Sequence, residues 1–186
     1  MVAILEPTTM TVEEYLALEQ TSQEKHEYVH GYVHAMSGGT LDHDAIANNV
    51  RAELKNHTRG GRCKAQGPDM RVRISATVYY YPDALVICDE TLSGATIQVT
   101  TPRLIVEVLS GSTEANDRGG KFAHYQTLPT FEEYLLVDSH QRSVERFHRT
   151  APNLWTYQRY GPSDHVTLET IGLTCPVARF YDDTQL

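Results

Sequence analysis

Long apolar runs are missing from this 186-residue chain. No stretch approaches the roughly 20 consecutive apolar residues that a membrane-spanning helix needs, which excludes such a span. Cysteine is scarce: Cys63, Cys88 and Cys175 are widely separated, odd in number and form no Cys-x-x-Cys pair. That pattern indicates neither a zinc site nor a disulfide framework. The first residues, Met1 to Glu6, lack the basic start and long apolar core of a signal peptide, so cytoplasmic location is the expectation. Positive charge is in deficit as well. Sixteen Lys and Arg face 24 Asp and Glu for a formal net charge of −8, which argues against a generic basic nucleic-acid binder. With no internal repeat, linker or low-complexity segment, residues 1–186 read as one domain with a single sizeable core.

What is present is organised around a short apolar run, Leu104-Ile105-Val106-Glu107-Val108-Leu109. It reads as a strand buried on both faces. An unpaired carboxylate there costs several kcal/mol by order of magnitude, so Glu107 requires a cation, a donor or a metal. Twenty-four positions earlier, a second strand-like run from Tyr81 to Ile87 carries its own lone acid, Asp83. Two acids on neighbouring strands, each set among apolar residues, point to a divalent-metal site.

Along the chain, Thr11 with Glu14 reads as the capping box of a short amphipathic helix. Glu27 to Met36, with Gly31 near its centre, reads as a hairpin or bent strand pair. His26, His30 and His34 are four apart, but Gly31 and the flanking valines disfavour a helix, and outward-facing strand positions are expected. Asp42 is expected to cap a helix whose apolar face is Ile46, Val50 and Leu54, with His43 in its first turn and Gly60-Gly61 at its end. Seven basic residues between Arg51 and Arg73 face only Glu53 and Asp69, a local basic strip that could track a phosphate backbone or simply be solvated. Strands are expected at Arg71 to Ile74 and Tyr79 to Cys88. A helix follows from about Glu114 to Leu128, and strand–helix–strand order leading to Tyr134–Asp138 implies a parallel crossover. On that helix Asp117, Lys121 and Tyr125 share a stripe, while Gly119-Gly120 weakens it by up to about 2 kcal/mol. Short alternating strands follow at Ser143 to His148, Trp155 to Tyr160 and His165 to Leu168, then Cys175 to Tyr181.

Phosphodiester hydrolysis needs charge neutralised at the phosphate and a water activated for attack, and hard divalent cations with oxygen ligands do both. Asp83 and Glu107 are the candidate metal ligands, with the Val108 carbonyl as a further one. Lys121 is the candidate amine that orients or deprotonates the water and stabilises developing charge. Plainer readings exist: Lys121 and Asp117 as a surface pair, Asp83 as a turn cap, Tyr125 as core.

Tyr81-Pro82-Asp83 followed by Ile105-Val106-Glu107-Val108-Leu109-Ser110 resembles the PD-(D/E)XK nuclease motif. The longer segment from Val106 to Tyr125 resembles the signature of the Uma-two family of restriction-endonuclease-like proteins, as do Phe131 to Asp138 and Glu27 to Gly31. The resemblance runs from about Met10 to Tyr181. It implies an α/β (α+β) fold with a restriction-endonuclease-like core, a mixed central sheet flanked by helices, and extra C-terminal antiparallel strands. It also implies a DNA endonuclease using two carboxylates and a lysine, with Mg2+ as cofactor, Mn2+ able to substitute, and a homodimer because two strands must be cut. By matched position Asp83 and Glu107 are the metal-binding acids, Lys121 the lysine, Glu27 the N-terminal acid and His43 the histidine ahead of the second helix. Two departures stand out. The lysine expected two residues after the acid falls on Leu109, and Gly120 stands where a polar helix former is expected. The first of these, with the acidic balance, leaves open a nuclease-fold module that binds nucleic acid or protein without hydrolysis.

Overall fold

Residues 9–36, 38–111 and 113–186 are described by the structure, a computed structural model. The readings of Met1 to Glu6 and of the loop positions Ser37 and Ser112 lie outside them. Helix α1 (Val12–Thr21) opens on the expected capping box, the Thr11 hydroxyl accepting from the Glu14 N–H while the Glu14 carboxylate accepts from the Thr11 N–H. Strands β1 (His26–Val29) and β2 (Tyr32–Ala35) form the expected hairpin. Its two-residue turn is His30-Gly31 at φ 51° and 98°. Two positive φ values match the twist of a hairpin, and glycine adopts one at no steric cost. Helix α2 (Leu41–Thr58) starts two residues earlier than expected, because Thr40 rather than Asp42 is the N-cap and accepts from the His43 N–H. Ile46, Val50 and Leu54 are buried, as their spacing requires.

Strands β3 (Lys64–Gln66), β4 (Arg71–Ser75), β5 (Val78–Tyr80) and β6 (Ala84–Ile87) follow. The single strand expected from Tyr79 to Cys88 is two strands in two different sheets. Pro82 has no N–H to give to a ladder, and Tyr81-Pro82-Asp83 carries the chain from one sheet to the other. After β7 (Gln98–Val99) comes β8 (Pro102–Leu109). The helical segment then runs through α3 (Glu114–Asn116), a π-helical turn (Asp117–Lys121) and α4 (Phe122–Tyr125), ending three residues short of Leu128. The widened turn falls on Gly119-Gly120, where helix propensity is lowest. At Gly120 an added Cβ would lie 2.7 Å from Asn116 Oδ1, so a larger residue there would require the Asn116 side chain to move. Strands β9 (Glu133–Asp138), β10 (Val144–Ala151), β11 (Leu154–Tyr160), β12 (His165–Leu168) and β13 (Leu173–Pro176) complete the sheets. The last expected strand is only partly one, since Val177–Tyr181 is a 3-10 helix. No helix among the described residues is long and apolar enough to cross a membrane.

Among the described residues one sheet has the order β2-β1-β5-β4-β7, a second β11-β10-β9-β8-β6-β3, and β12-β13 stand as a pair. The β8–β9 pairing is parallel, as the crossover argument requires, and the rest of the second sheet is antiparallel. Alternate residues of β8 feed two cores. Leu104, Val106 and Val108 pack with Ile46, Val50 and Leu54 of α2, whereas Ile105 and Leu109 pack with Tyr125, Phe131 and Tyr134. Burying these five β8 side chains contributes roughly 10 kcal/mol before entropy is counted. That exceeds the several kcal/mol that seating Glu107 between Val106 and Val108 costs. The strand can therefore hold its acid.

One expectation from the cysteines is overturned. Cys63 and Cys88 form a disulfide, and Cys175 is a buried free thiol. Lys64 stands opposite Ile87 in the β3–β6 ladder, so Cys63 and Cys88 are the next facing pair. A separation of 25 residues in sequence conceals that adjacency. Closing a loop of this length is worth about 3 kcal/mol through the unfolded state. Reduction, or the Cys63→Ala/Cys88→Ala double variant, is therefore expected to lower Tm by roughly 6–12 °C in thermal melts.

Candidate functional site

Strand parity sets the first half of the site. Ala84 of β6 pairs with Val106 of β8, so the next facing positions along that ladder are Asp83 and Glu107. Tyr28 of β1 pairs with Tyr79 of β5 and both pack on Tyr15 of α1, which turns Glu27 and Tyr80 to the opposite face. Helix α2 brings His43, and the π-helical turn brings Asp117 and Lys121. All six, with Tyr80, line one cavity of about 650 Å3, and Tyr125 lies beneath it.

Lys121 is the hub. Its Nζ lies 2.8 Å from Glu27 Oε1, 3.2 Å from Asp117 Oδ1 and 3.4 Å from Glu107 Oε1. Glu107, Asp117 and Lys121 are only 3%, 2% and 5% exposed, which rules out the surface-pair reading of Lys121 and Asp117. Beneath them the Tyr125 hydroxyl donates to Glu107 Oε1 at 3.0 Å, and the Tyr134 hydroxyl donates to the Asp117 carbonyl at 3.0 Å. Tyr125 is thus a buried donor to the acid, part of the core with one polar contact. Asp83 Oδ2 accepts from the Val108 N–H at 2.7 Å, so its carboxylate is fixed to the backbone beside Glu107. His43 Nε2 lies 3.0 Å from the Val108 carbonyl and 3.8 Å from Asp83 Oδ2. A carbonyl only accepts, so that contact places the proton on Nε2.

Electrostatics follow from this packing. Burial pushes the Asp83 carboxyl up, with His43 and the Val108 N–H opposing the rise. Burial pushes Glu107 well above the usual carboxylate range. Lys121 opposes this, while Asp117, Asp83 and Glu27 reinforce it. Burial alone would lower the Lys121 amine, but Glu107, Glu27 and Asp117 outweigh it and hold the amine well above its ordinary value. Lys121 is therefore an ammonium at neutral pH.

Two residues here escaped the sequence reading, Tyr80 and His124. The Tyr80 hydroxyl lies 2.7 Å from His124 Nδ1, and Lys121 Nζ sits 5.5 Å from the centre of the Tyr80 ring. Only the pairing of β1 with β5 places Tyr80 beside Glu27, and nothing local in the sequence reports it. The basic strip does not survive as one feature. Arg51 and Lys55 lie on α2, Lys64 lies at the edge of the second sheet, and Arg71 is buried in the first. Nor are the three histidines all outward-facing strand positions: His30 is in the turn, and His26 is half-buried and bonds to Glu19 at 2.9 Å.

The donor set suits a hard divalent cation. Glu27, Asp83, Glu107 and Asp117 set four carboxyl groups against the ammonium of Lys121. Glu27 Oε1 and Asp117 Oδ1 are buried, and their approach to Lys121 lacks hydrogen-bond geometry, so both keep acceptor capacity. Among the described residues no three His, Cys, Asp or Glu side chains converge as a closed metal cage. Magnesium does not require one, since one or two carboxylates with retained waters are its usual protein ligands. Asp83, Glu107 and the Val108 carbonyl are the groups that could hold it.

Comparison with known proteins bears on this geometry. Residues 12–178 match the Uma2 family, described as "Putative restriction endonuclease". The uncharacterized protein slr1290 of Synechocystis sp. is 39% identical over 173 residues, covering 92% of this chain and 91% of that protein. A second, sll1609 of the same organism, is 31% identical over 158 residues, covering 83% and 89%. A crystal structure of "a putative nuclease belonging to DUF820" from Anabaena variabilis superposes with a TM-score of 0.76, covering 92% of this chain and 97% of that one, at 17% identity. The last likeness concerns the fold, and it is the mixed α/β fold expected from the sequence. With the family match reaching from α1 to the final 3-10 helix, this chain belongs to the Uma2 family of restriction-endonuclease-like proteins.

Proposed function

We propose that this chain is a Mg2+-dependent endonuclease that hydrolyses phosphodiester bonds of DNA. One observation carries the reading. Asp83 and Glu107, from facing ends of adjacent strands, meet in a cavity beside a buried ammonium. Asp83, Glu107 and the Val108 carbonyl would hold the metal, which when bound supplies charge neutralisation at the phosphate and a more acidic water. His43 donates to the Val108 carbonyl and fixes its direction, leaving that oxygen a second lone pair. Tyr125 orients Glu107 from below. Lys121, being protonated, stabilises negative charge that develops at the phosphate, a role that needs no proton removed from it. Leu109, at the position where a lysine is expected, is 1% exposed within the apolar core, so the amine comes from the next helix. Cutting both strands of a duplex needs two such sites, for which a homodimer is the matching assembly. Cytoplasmic location fits a DNA substrate, and in that reducing compartment Cys63–Cys88 would be open to reduction.

The test is direct. Purified protein with Mg2+ or Mn2+ is expected to nick supercoiled plasmid, and chelation is expected to stop it. If supercoiled, linear and single-stranded DNA all stay intact with both metals, the proposal fails and a non-catalytic module takes its place.

A further inference from the structure

A second cavity, of about 660 Å3, adjoins the first, and Tyr81 lines both. Its wall contains Arg71, only 7% exposed. Arg71 Nε donates to Gln98 Oε1 at 3.1 Å, and the guanidinium lies 5.9 Å and 5.8 Å from the ring centres of Tyr15 and Tyr79. Among the described residues no carboxylate comes within 4.0 Å of it. The buried acid of this wall, Glu19, spends its oxygens elsewhere: on the His26 N–H at 3.0 Å, the His26 ring at 2.9 Å and the Tyr81 hydroxyl at 2.5 Å. Arg73, exposed on the same strand, stands 6.0 Å from the same Tyr79 ring and likewise has no carboxylate partner among the described residues. Lys25 on the rim is already paired with Asp69.

Burying a guanidinium with no carboxylate within 4.0 Å among the described residues is costly, and setting a second beside it on one ring adds repulsion. Contact with the tyrosine faces, at about 0.5–2 kcal/mol per pair, and side-chain hydrogen bonds with Tyr15 and Tyr81 offset part of this. An oxyanion between the two would offset more, and the planar guanidinium fork matches a phosphate. Tyr81 stands two residues before Asp83, so the two cavities share a wall at the candidate metal site. A polymer carrying regularly spaced phosphates can fill both cavities at once, which a free phosphate does not.

We infer that Arg71 and Arg73 seat a flanking phosphodiester of the DNA strand whose scissile bond lies in the first cavity. This rests on the nuclease reading, and binding measurements separate the two. Affinity for a fluorescent oligonucleotide is measured by anisotropy in chelator across a salt series. The proteins are wild type, Arg71→Gln, Arg71→Lys and Arg73→Gln, with folding checked by circular dichroism. Each glutamine variant is expected to weaken binding roughly tenfold whatever the base sequence, and to reduce the salt slope by about one. Arg71→Lys is expected to keep the slope. Because Arg73 is exposed, its variant decides the matter even if Arg71→Gln fails to fold. Unchanged slopes in the folded glutamine variants, beside a wild type that binds and cleaves, overturn this inference alone. Arg71-dependent binding of inorganic phosphate with an unchanged oligonucleotide slope overturns it in favour of a free-anion site. A wild type that neither binds the oligonucleotide nor cleaves DNA with Mg2+ or Mn2+ overturns the nuclease reading and this inference together.

Discussion

Glu107→Gln is expected to reduce metal-dependent DNA cleavage by at least about a hundredfold while leaving the chain folded. Removing one well-placed stabilising group from an active site costs about 3–4 kcal/mol of transition-state stabilisation, or 10² to 10³ in rate. A ligand that also holds the metal should cost no less. The amide keeps the volume of the carboxylate and can still accept from the Tyr125 hydroxyl. It gives up the negative charge that faces Lys121 but also relieves repulsion from Asp117, Asp83 and Glu27, so stability should stay within about 2 kcal/mol of wild type. Asp83→Asn should behave alike, because its carbonyl oxygen can still accept from the Val108 N–H. Single-turnover cleavage rates, metal titration by calorimetry and denaturant melts check the three parts separately. A folded Glu107→Gln protein that cleaves DNA at the wild-type rate would remove Glu107 from the mechanism.

Lys121→Met has the other large expected effect, and here the loss falls on stability as well as rate. The thioether fills the space of the alkyl stem but leaves Glu27, Glu107 and Asp117 crowded without their cation. Breaking a buried pair in this way costs about 3–5 kcal/mol. Glu107, already pushed up by burial, can take up a proton instead, which holds the cost toward the lower end. A fall in Tm of roughly 10 °C follows. Millimolar Mg2+ should return part of it, and more than it adds to wild type, because the ion takes over the neutralisation that the ammonium provided. Melts of both proteins with and without Mg2+ measure the difference. If Lys121→Met melts with wild type, the lysine does not hold the acid cluster together.

Much of this site could be read before any coordinates. A lone acid in a doubly buried strand has few uses, and Glu107 stood out for that reason. The crossover to Tyr134 followed from element order, and the face of α2 from a spacing of four. What failed had a common cause. The Cys63–Cys88 bond, the split of Tyr79 to Cys88 into two sheets and the place of Tyr80 all depend on which distant strands pair. Strand periodicity fixes which face a residue occupies but says nothing of its neighbour across the ladder. The dispersal of the basic strip has the same origin, since charge counted along the chain ignores the sheet that each residue joins.

By itself, then, the order of residues determined the buried strands, their two isolated acids and the helix that carries Lys121, because burial and periodicity are local properties of sequence. Only the tertiary structure decided that Glu27 and Asp117 crowd the same ammonium, that Lys121 stays charged though buried, and that Arg71 is buried with no carboxylate within 4.0 Å among the described residues. Those facts arise from contacts between segments far apart in the chain, whose meeting is set by sheet order and core packing.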